Sequence, residues 1–187
     1  DRIGAPRNLV QALPSPVSKD LSMEMLKQVD LVVVTGSQNN VRAAYTCGTP
    51  AFGVGAGNVT SLIDETADLA SAAAKIKASK TFDNATSCSS ENSLIMVKAI
   101  YNDMLKALES VNGCLLTPKE TAKLEAVLWH KGHLNASMLA KPVSVMCELA
   151  GITRTSACDA DFLMVEETGV GADFPFSGEK MALVLTL

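Results

Sequence analysis

Histidine, aromatic side chains and long apolar runs are all scarce in this chain of 187 residues. Aromatics make up 4% of it, no basic run is interleaved with them, and the net charge is a small and mixed −4. Nucleic acid and anionic membrane are therefore poor candidates as partners. No apolar stretch approaches the roughly 20 residues that span a bilayer, and the charged opening "DRIGAPRN" is not a secretory signal. The expected setting is soluble and cytoplasmic. With two histidines, and five cysteines that form no C-x-x-C pair, neither a metal site nor a disulfide framework is expected, and the thiols read as reduced.

What the chain does have is a large apolar fraction, 48%, enough to bury a core. Its segments alternate. "DLVVVTG" (30–36) is a valine-rich run of the kind expected of a strand covered on both faces, followed by the helix-compatible "QNNVRAAYTCG". "TPAFGVGAG" (49–57) and "NVTSLID" (58–64) supply two short apolar segments, and "ADLASAAAKIKASK" (67–80) reads as an alanine-rich helix. A strand is expected at about 93–98 and a helix at about 99–110. "TPKE" (117–120) has the form of a capping box opening a helix to about Trp129, and "KPVSVMCELAG" (141–151) starts after a proline and stops at a glycine. This alternation predicts an α/β layered fold. "KMALVLTL" (180–187) reads as a strand with nothing to cover it, and with a first residue other than Met the expectation is a fragment.

Chemistry centres on Cys88. It lies in "KTFDNATSCSSENS" (80–93), where Thr86, Ser87, Ser89 and Ser90 are small and hydrogen-bonding; nearby N–H groups favour a thiolate there. Cys114 and Cys147 lie among apolar neighbours and read as small core residues. Gly53-Val54-Gly55-Ala56-Gly57 is a weak match to a dinucleotide fingerprint, because a β-prone segment follows it rather than a helix; taken alone, it is read as turns or close backbone contacts instead. His133 and Asn135, in "GHLN", are read as a polar cap at a turn rather than as a proton-transfer pair.

Read together, "VTGSQNNVRAAY" (34–45), "GVGAGN" (53–58), "IDETADL" (63–69), "KTFDNATSC" (80–88), "GHLNASMLAKP" (132–142) and "PFSGEK" (175–180) resemble, in order, the CoA-acylating branch of the aldehyde dehydrogenase superfamily. The resemblance implies a fold and a layout: the C-terminal part of the cofactor-binding domain over 1–57, and part of a three-layer α/β catalytic domain over 58–187. It also implies a reaction, the reversible oxidation of an aldehyde to acyl-CoA with NAD or NADP as cofactor and coenzyme A as co-substrate.

By the same resemblance Cys88 is the nucleophile. It forms a thiohemiacetal with the aldehyde, then a thioester that coenzyme A cleaves. Thr35, Gly36 and Ser37 match the strand-to-helix turn beside the dinucleotide. Gly53, Val54 and Gly55 match the segment passing the nicotinamide, and Glu179 matches the acid on its ribose. Where family members continue this last motif with Ser-Pro, this chain has Ala182-Leu183. The superfamily's oxyanion amide falls upstream of Asp1, so residues 1–187 alone are expected to lack turnover, while the full-length protein is expected to be a homo-oligomer. Two other readings compete. A cysteine acyltransferase or thioesterase would keep Cys88 without a nicotinamide cofactor but would want a positioned histidine; a non-catalytic interaction module would need only the fold.

Overall fold

In the computed structural model, which describes residues 3–187, strands and helices alternate as the sequence predicts, in two units, Asp1–Ala56 and Gly57–Leu187. The first unit contains α1 (Lys19–Lys27), β1 (Val32–Thr35), α2 (Gln38–Thr46) and β2 (Ala51–Val54). β1 and β2 pair in parallel, with Val33 opposite Phe52 and Thr35 opposite Val54. One face of this ribbon carries Val32, buried as are Val41 and Ala44 of α2. The other face is open, with Val33 72% and Phe52 67% exposed. Within residues 1–56 the strand of "DLVVVTG" is covered on the face that carries Val32.

The second unit is a five-stranded sheet with helices around it. Its elements are β3 (Val59–Ile63), α3 (Leu69–Thr81), β4 (Glu91–Met96), α4 (Tyr101–Ser110), β5 (Gly113–Leu115), α5 (Pro118–Leu128), a two-residue hairpin of β6 (Trp129–His130) and β7 (His133–Leu134), α6 (Val143–Ala150), α7 (Thr155–Cys158), β8 (Phe162–Val165) and β9 (Val184–Thr186). The order across the sheet is β3-β4-β9-β8-β5, and every pairing is parallel. The last strand therefore fills the middle. "KMALVLTL", expected to lie uncovered, is the central strand, and Val184, Leu185 and Thr186 are all buried. β8 is buried along its whole length, as a parallel strand covered on both faces must be.

Local chemistry explains the helix ends. Asp68 accepts from the Ser71 N–H to open α3, and Thr117 with Glu120 forms the expected capping box on α5. Gly151, at φ 62°, ends α6 in the left-handed region that favours glycine. Cys114 and Cys147 are core residues, as the sequence predicts.

Glu120 also ties two helices together. Arg154, preceding α7, grips its carboxylate through Nε at 2.9 Å and Nη2 at 2.8 Å and donates to the Leu115 carbonyl at 2.8 Å. The Arg154 guanidinium holds the Glu120 carboxyl down at about 2, below its ordinary 4.5. A carboxylate with a depressed folded-state pKa stabilises fully above its unfolded-state value and loses that contribution as pH falls through the folded-state value. Arg154→Gln is accordingly expected to lower Tm by several degrees at neutral pH, with a smaller deficit near pH 2, measured by thermal unfolding at both.

Candidate active site

Parallel strands place the site. Gly57 and Asn58 precede β3, Cys88 precedes β4 and Glu179 precedes β9, and these three strands are neighbours in the sheet. Because all three run the same way, the segments before them meet at one edge, the amino ends of the strands. Sequence separation of more than 100 residues is bridged by two side-by-side pairings.

The loop carrying Cys88 is strained. Asp83, Asn84 and Ala85 have φ of 48°, 50° and 62°, three consecutive non-glycine residues in the left-handed region, each costing roughly 1–2 kcal/mol against the right-handed form. Strain of this kind persists where the surroundings enforce it. Ala85 is buried, Thr86 Oγ1 donates to the Asp83 carbonyl, and Asn84 Nδ2 donates to the Ala140 carbonyl at 3.2 Å. The Ala140 N–H donates in turn to the Met181 carbonyl at 3.1 Å. Ala140 and Met181 also have positive φ, 55° and 45°, so strained residues from three separate motifs are bonded in series.

Beyond the strained turn the chain opens to solvent at Cys88, which is exposed. Ser87 Oγ and Ser89 Oγ lie 2.9 Å apart, the Ser89 N–H donates to Ser87 Oγ at 3.4 Å, and the Ser90 N–H donates to the Ser87 carbonyl at 3.0 Å. No acceptor among the described residues takes the Cys88 N–H. A thiol and a free donor therefore belong to the same residue, an arrangement that can attack a carbonyl carbon and hydrogen-bond the oxygen that becomes negative. Gly57 packs close to this residue, where a Cβ would lie a tight 3.2 Å from the Cys88 carbonyl oxygen. Beside it, Asn58 Nδ2 donates to the Ser177 carbonyl at 2.8 Å, two residues from Glu179.

Glu179 lines a cleft of about 720 Å3 together with Asn58, Ser177 and Gly178, over a floor that includes Thr60, Ser93 and Thr186. Cys88 is not among the lining residues of this cleft. The two are linked through Gly57-Asn58 rather than through a shared cavity. Ser90 Oγ, Glu91 Oε2 and Ser93 Oγ, all just past the thiol, are buried without a partner among the described residues; buried polar atoms of this kind call for an explanation, and unused hydrogen-bonding capacity at a binding site is one.

Of the remaining residues singled out in the sequence, Thr35, Gly36, Ser37, Gly53, Val54 and Gly55 come together in the first unit. The Gly36 N–H donates to the Val54 carbonyl at 3.1 Å, which sets the ends of β1 and β2 side by side, and Ser37 Oγ accepts from the Asn40 N–H as the cap of α2. Gly53 has a packing reason of its own: a Cβ would lie 2.7 Å from Val41 Cγ1 and 2.9 Å from Tyr45 Cε2, and its N–H donates to Tyr45 Oη at 3.0 Å. Asn135 is the cap at a turn that the sequence predicts, donating to the Val127 carbonyl at 2.8 Å and accepting from the Ser137 N–H at 3.0 Å. His133 is exposed on the hairpin.

Two site residues were not singled out from sequence, Lys80 and Lys180. Both are buried, at 1% and 0% exposure. Burial pushes the Lys80 amine down to about 7, the Glu91 charge opposing this; Lys180 is pushed to about 7 by burial and by Lys80 nearby. A signal for Lys80 existed, since it continues the buried face of α3 after Ala73 and Ile76. No periodic signal marks Lys180.

Known proteins match this chain closely. It is 59% identical over 186 residues to the sulfoacetaldehyde dehydrogenase (acylating) of Cupriavidus necator, covering 100% of this chain and 38% of that protein. An acetylating aldehyde dehydrogenase from Geobacillus thermoglucosidasius superposes with a TM-score of 0.92 at 36% identity, over 99% of this chain and 41% of that one. A propionaldehyde dehydrogenase from Rhodopseudomonas palustris, solved with bound CoA and an acylated cysteine, superposes with a TM-score of 0.77 at 26% identity, over 90% of this chain and 38% of that one. No family model matches the sequence. The chain belongs to the CoA-acylating aldehyde dehydrogenase family, and it spans about two fifths of the length of these relatives.

Proposed function

We propose that this chain is the segment of a CoA-acylating aldehyde dehydrogenase that carries the nucleophile, Cys88, and that the full-length enzyme converts an aldehyde to acyl-CoA reversibly with NAD or NADP. The observation that carries the reading is the exposed Cys88 thiol, with its own N–H unengaged, at the end of a strained and braced loop. The Cys88 thiolate adds to the aldehyde carbon, and the Cys88 N–H stabilises the oxygen. When bound, NAD or NADP supplies the hydride acceptor. Coenzyme A then takes the acyl group from the Cys88 thioester, returning the thiol.

The residues of the first unit suit a dinucleotide. Two parallel strands end together at Thr35-Gly36-Ser37 and Val54-Gly55, their carboxyl ends beside the start of α2, and Gly53 and Gly55 let α2 pack close, since a Cβ at either would run into Val41 and Tyr45 or into Gln38. In the second unit Glu179, half-buried in its cleft, is the acid for the ribose hydroxyls. The segments before β3, β4 and β9 hold the chemistry, so 58–187 acts as the catalytic part and 1–57 as part of the cofactor domain. Identity to the Cupriavidus protein makes sulfoacetaldehyde the first aldehyde to assay. Among the described residues no helix is long and apolar enough to cross a membrane, and no cluster suited to a metal ion occurs.

Thiol labelling tests the nucleophile. Cys114 and Cys147 are buried, and burial, with Cys158 adding to it, pushes the Cys147 thiol up to about 12. Iodoacetamide with peptide mapping is expected to modify Cys88 well ahead of the other four. Equal rates for all five in the folded protein would remove the support for this reading.

A further inference from the structure

Lys80 and Lys180 have no evident reason to be charged residues. They are buried, and neither is ion-paired among the described residues. Burying an amine without a carboxylate is costly, and an apolar residue of similar volume would fill the same space. What an apolar residue could not do is donate hydrogen bonds to the main chain.

Both lysines donate at the margins of the site. Lys80, at the end of α3, reaches across the loop and donates from Nζ to the Glu91 carbonyl at 2.9 Å, closing the chain on both sides of Cys88. Lys180 donates from Nζ to the Phe176 carbonyl at 2.7 Å and to the Gly178 carbonyl at 3.0 Å, wrapping the turn that bears Glu179. The two anchorages are joined. Asn92, the residue after Glu91, accepts the Lys180 N–H on Oδ1 at 3.1 Å, and Asn92 is itself buried. A continuous path therefore runs from Lys80 through Glu91 and Asn92 to Lys180 and on to Gly178, beside Glu179. The bonds from Asn84 to Ala140 and from Ala140 to Met181 make a second tie between the same segments.

We propose that Lys80, Asn92 and Lys180 are positioning residues that hold the Cys88 loop and the Glu179 turn as one frame, so that the nucleophile and the dinucleotide-binding acid keep a fixed relation. The inference rests on the roles given above to Cys88 and Glu179. Its consequence is cross-talk: a change on one lysine alters the function carried by the other segment. A lysine that merely fills its own pocket would alter only its own side, or only the melting temperature.

The test uses the full-length enzyme, with Cys88 alkylation rate at neutral pH and NAD(P)H affinity as separate readouts. Lys180→Met, whose amine makes no hydrogen bond to the Cys88 loop, is expected to slow Cys88 alkylation about tenfold, and Lys80→Met, whose amine makes no hydrogen bond to the Glu179 turn, to weaken NAD(P)H binding about tenfold, since ångström-scale misplacement costs up to ~100-fold. Because the two amines lie close enough to repel one another, the Asn92 variants, which leave both lysines in place, carry the decision. Asn92→Ala cuts the link while leaving both lysines paired with their carbonyls, and it is expected to change both readouts. Asn92→Asp keeps the acceptor and is expected to restore them. If either lysine variant fails to fold, the Asn92 pair decides the matter. Effects confined to each lysine's own segment, or an Asn92→Ala variant normal in both readouts, would overturn the proposal. Glu179→Gln separates the two levels: unchanged NAD(P)H affinity there would remove the role given to Glu179, while the alkylation arm would still report whether the frame exists.

Discussion

Without coenzyme A, the full-length enzyme is expected to convert one equivalent of aldehyde per Cys88 and then stall, whereas with coenzyme A it turns over repeatedly and releases acyl-CoA. Hydrolysis of a thioester needs a base to activate water, and such a base contributes typically 10²–10⁴-fold. Hydrolytic aldehyde dehydrogenases place a glutamate in the segment corresponding to "FGVGAGN", and residues 52–58 contain no acid. The structure narrows the point further. Position 53 has no room for a side chain, because Val41 and Tyr45 occupy the space a Cβ would need, which leaves exposed Val54 as the place where an acid would fit. Coenzyme A needs less help, since a thiol ionises far more readily than water. The check is product analysis with a short aldehyde and NAD(P)+, with and without coenzyme A. Rapid multiple-turnover release of free carboxylate without coenzyme A would contradict the acylating assignment while leaving Cys88 as nucleophile.

Replacing Cys88, the proposed nucleophile, has the larger expected effect. Cys88→Ser in the full-length enzyme is expected to lower kcat by on the order of 10⁴-fold or more, in line with other enzymes stripped of a covalent nucleophile. The substitution is close to isosteric at an exposed position, so the fold and the melting temperature stay as they are. Cys158→Ser, at a half-buried position away from the strands that carry the site, is expected to leave kcat within about threefold, as surface-proximal changes usually do. Steady-state assays of the two variants beside the parent separate a chemical role from general sensitivity to thiol loss.

The sequence foretold the elements whose causes are local. The capping box at Thr117 and Glu120, the stop at Gly151 and the alanine-rich α3 each depend on residues within a few positions of one another, and propensity or cap chemistry decides them. β4 begins at Glu91, two residues earlier than expected, because a polar edge residue joined the ladder through pairing with β3. What could not be read was the neighbourhood of each strand. The central place of β9 depends on β4 and β8 meeting it across more than 20 residues of chain on one side and nearly 100 on the other, and no local pattern encodes that. The site divides in the same way. Cys88 stood out by its polar loop, whereas Lys80, Asn92 and Lys180 gained meaning only when the amino ends of three parallel strands came together. The left-handed Asp83-Asn84-Ala85 turn was equally hidden, since Asp and Asn tolerate positive φ but do not require it.

The central claim is that the acyl group passes through the Cys88 sulfur, and mass spectrometry of the trapped enzyme tests it most directly. Full-length protein is mixed with aldehyde and NAD(P)+ in the absence of coenzyme A, quenched in acid, digested and mapped, with a second sample chased by coenzyme A before quenching. The predicted result is one acyl mass on the peptide containing Cys88, and its disappearance, with acyl-CoA formed in equal amount, after the chase. An active enzyme whose acyl mass sits on Cys47, Cys114, Cys147 or Cys158, or on no cysteine at all, would contradict the account.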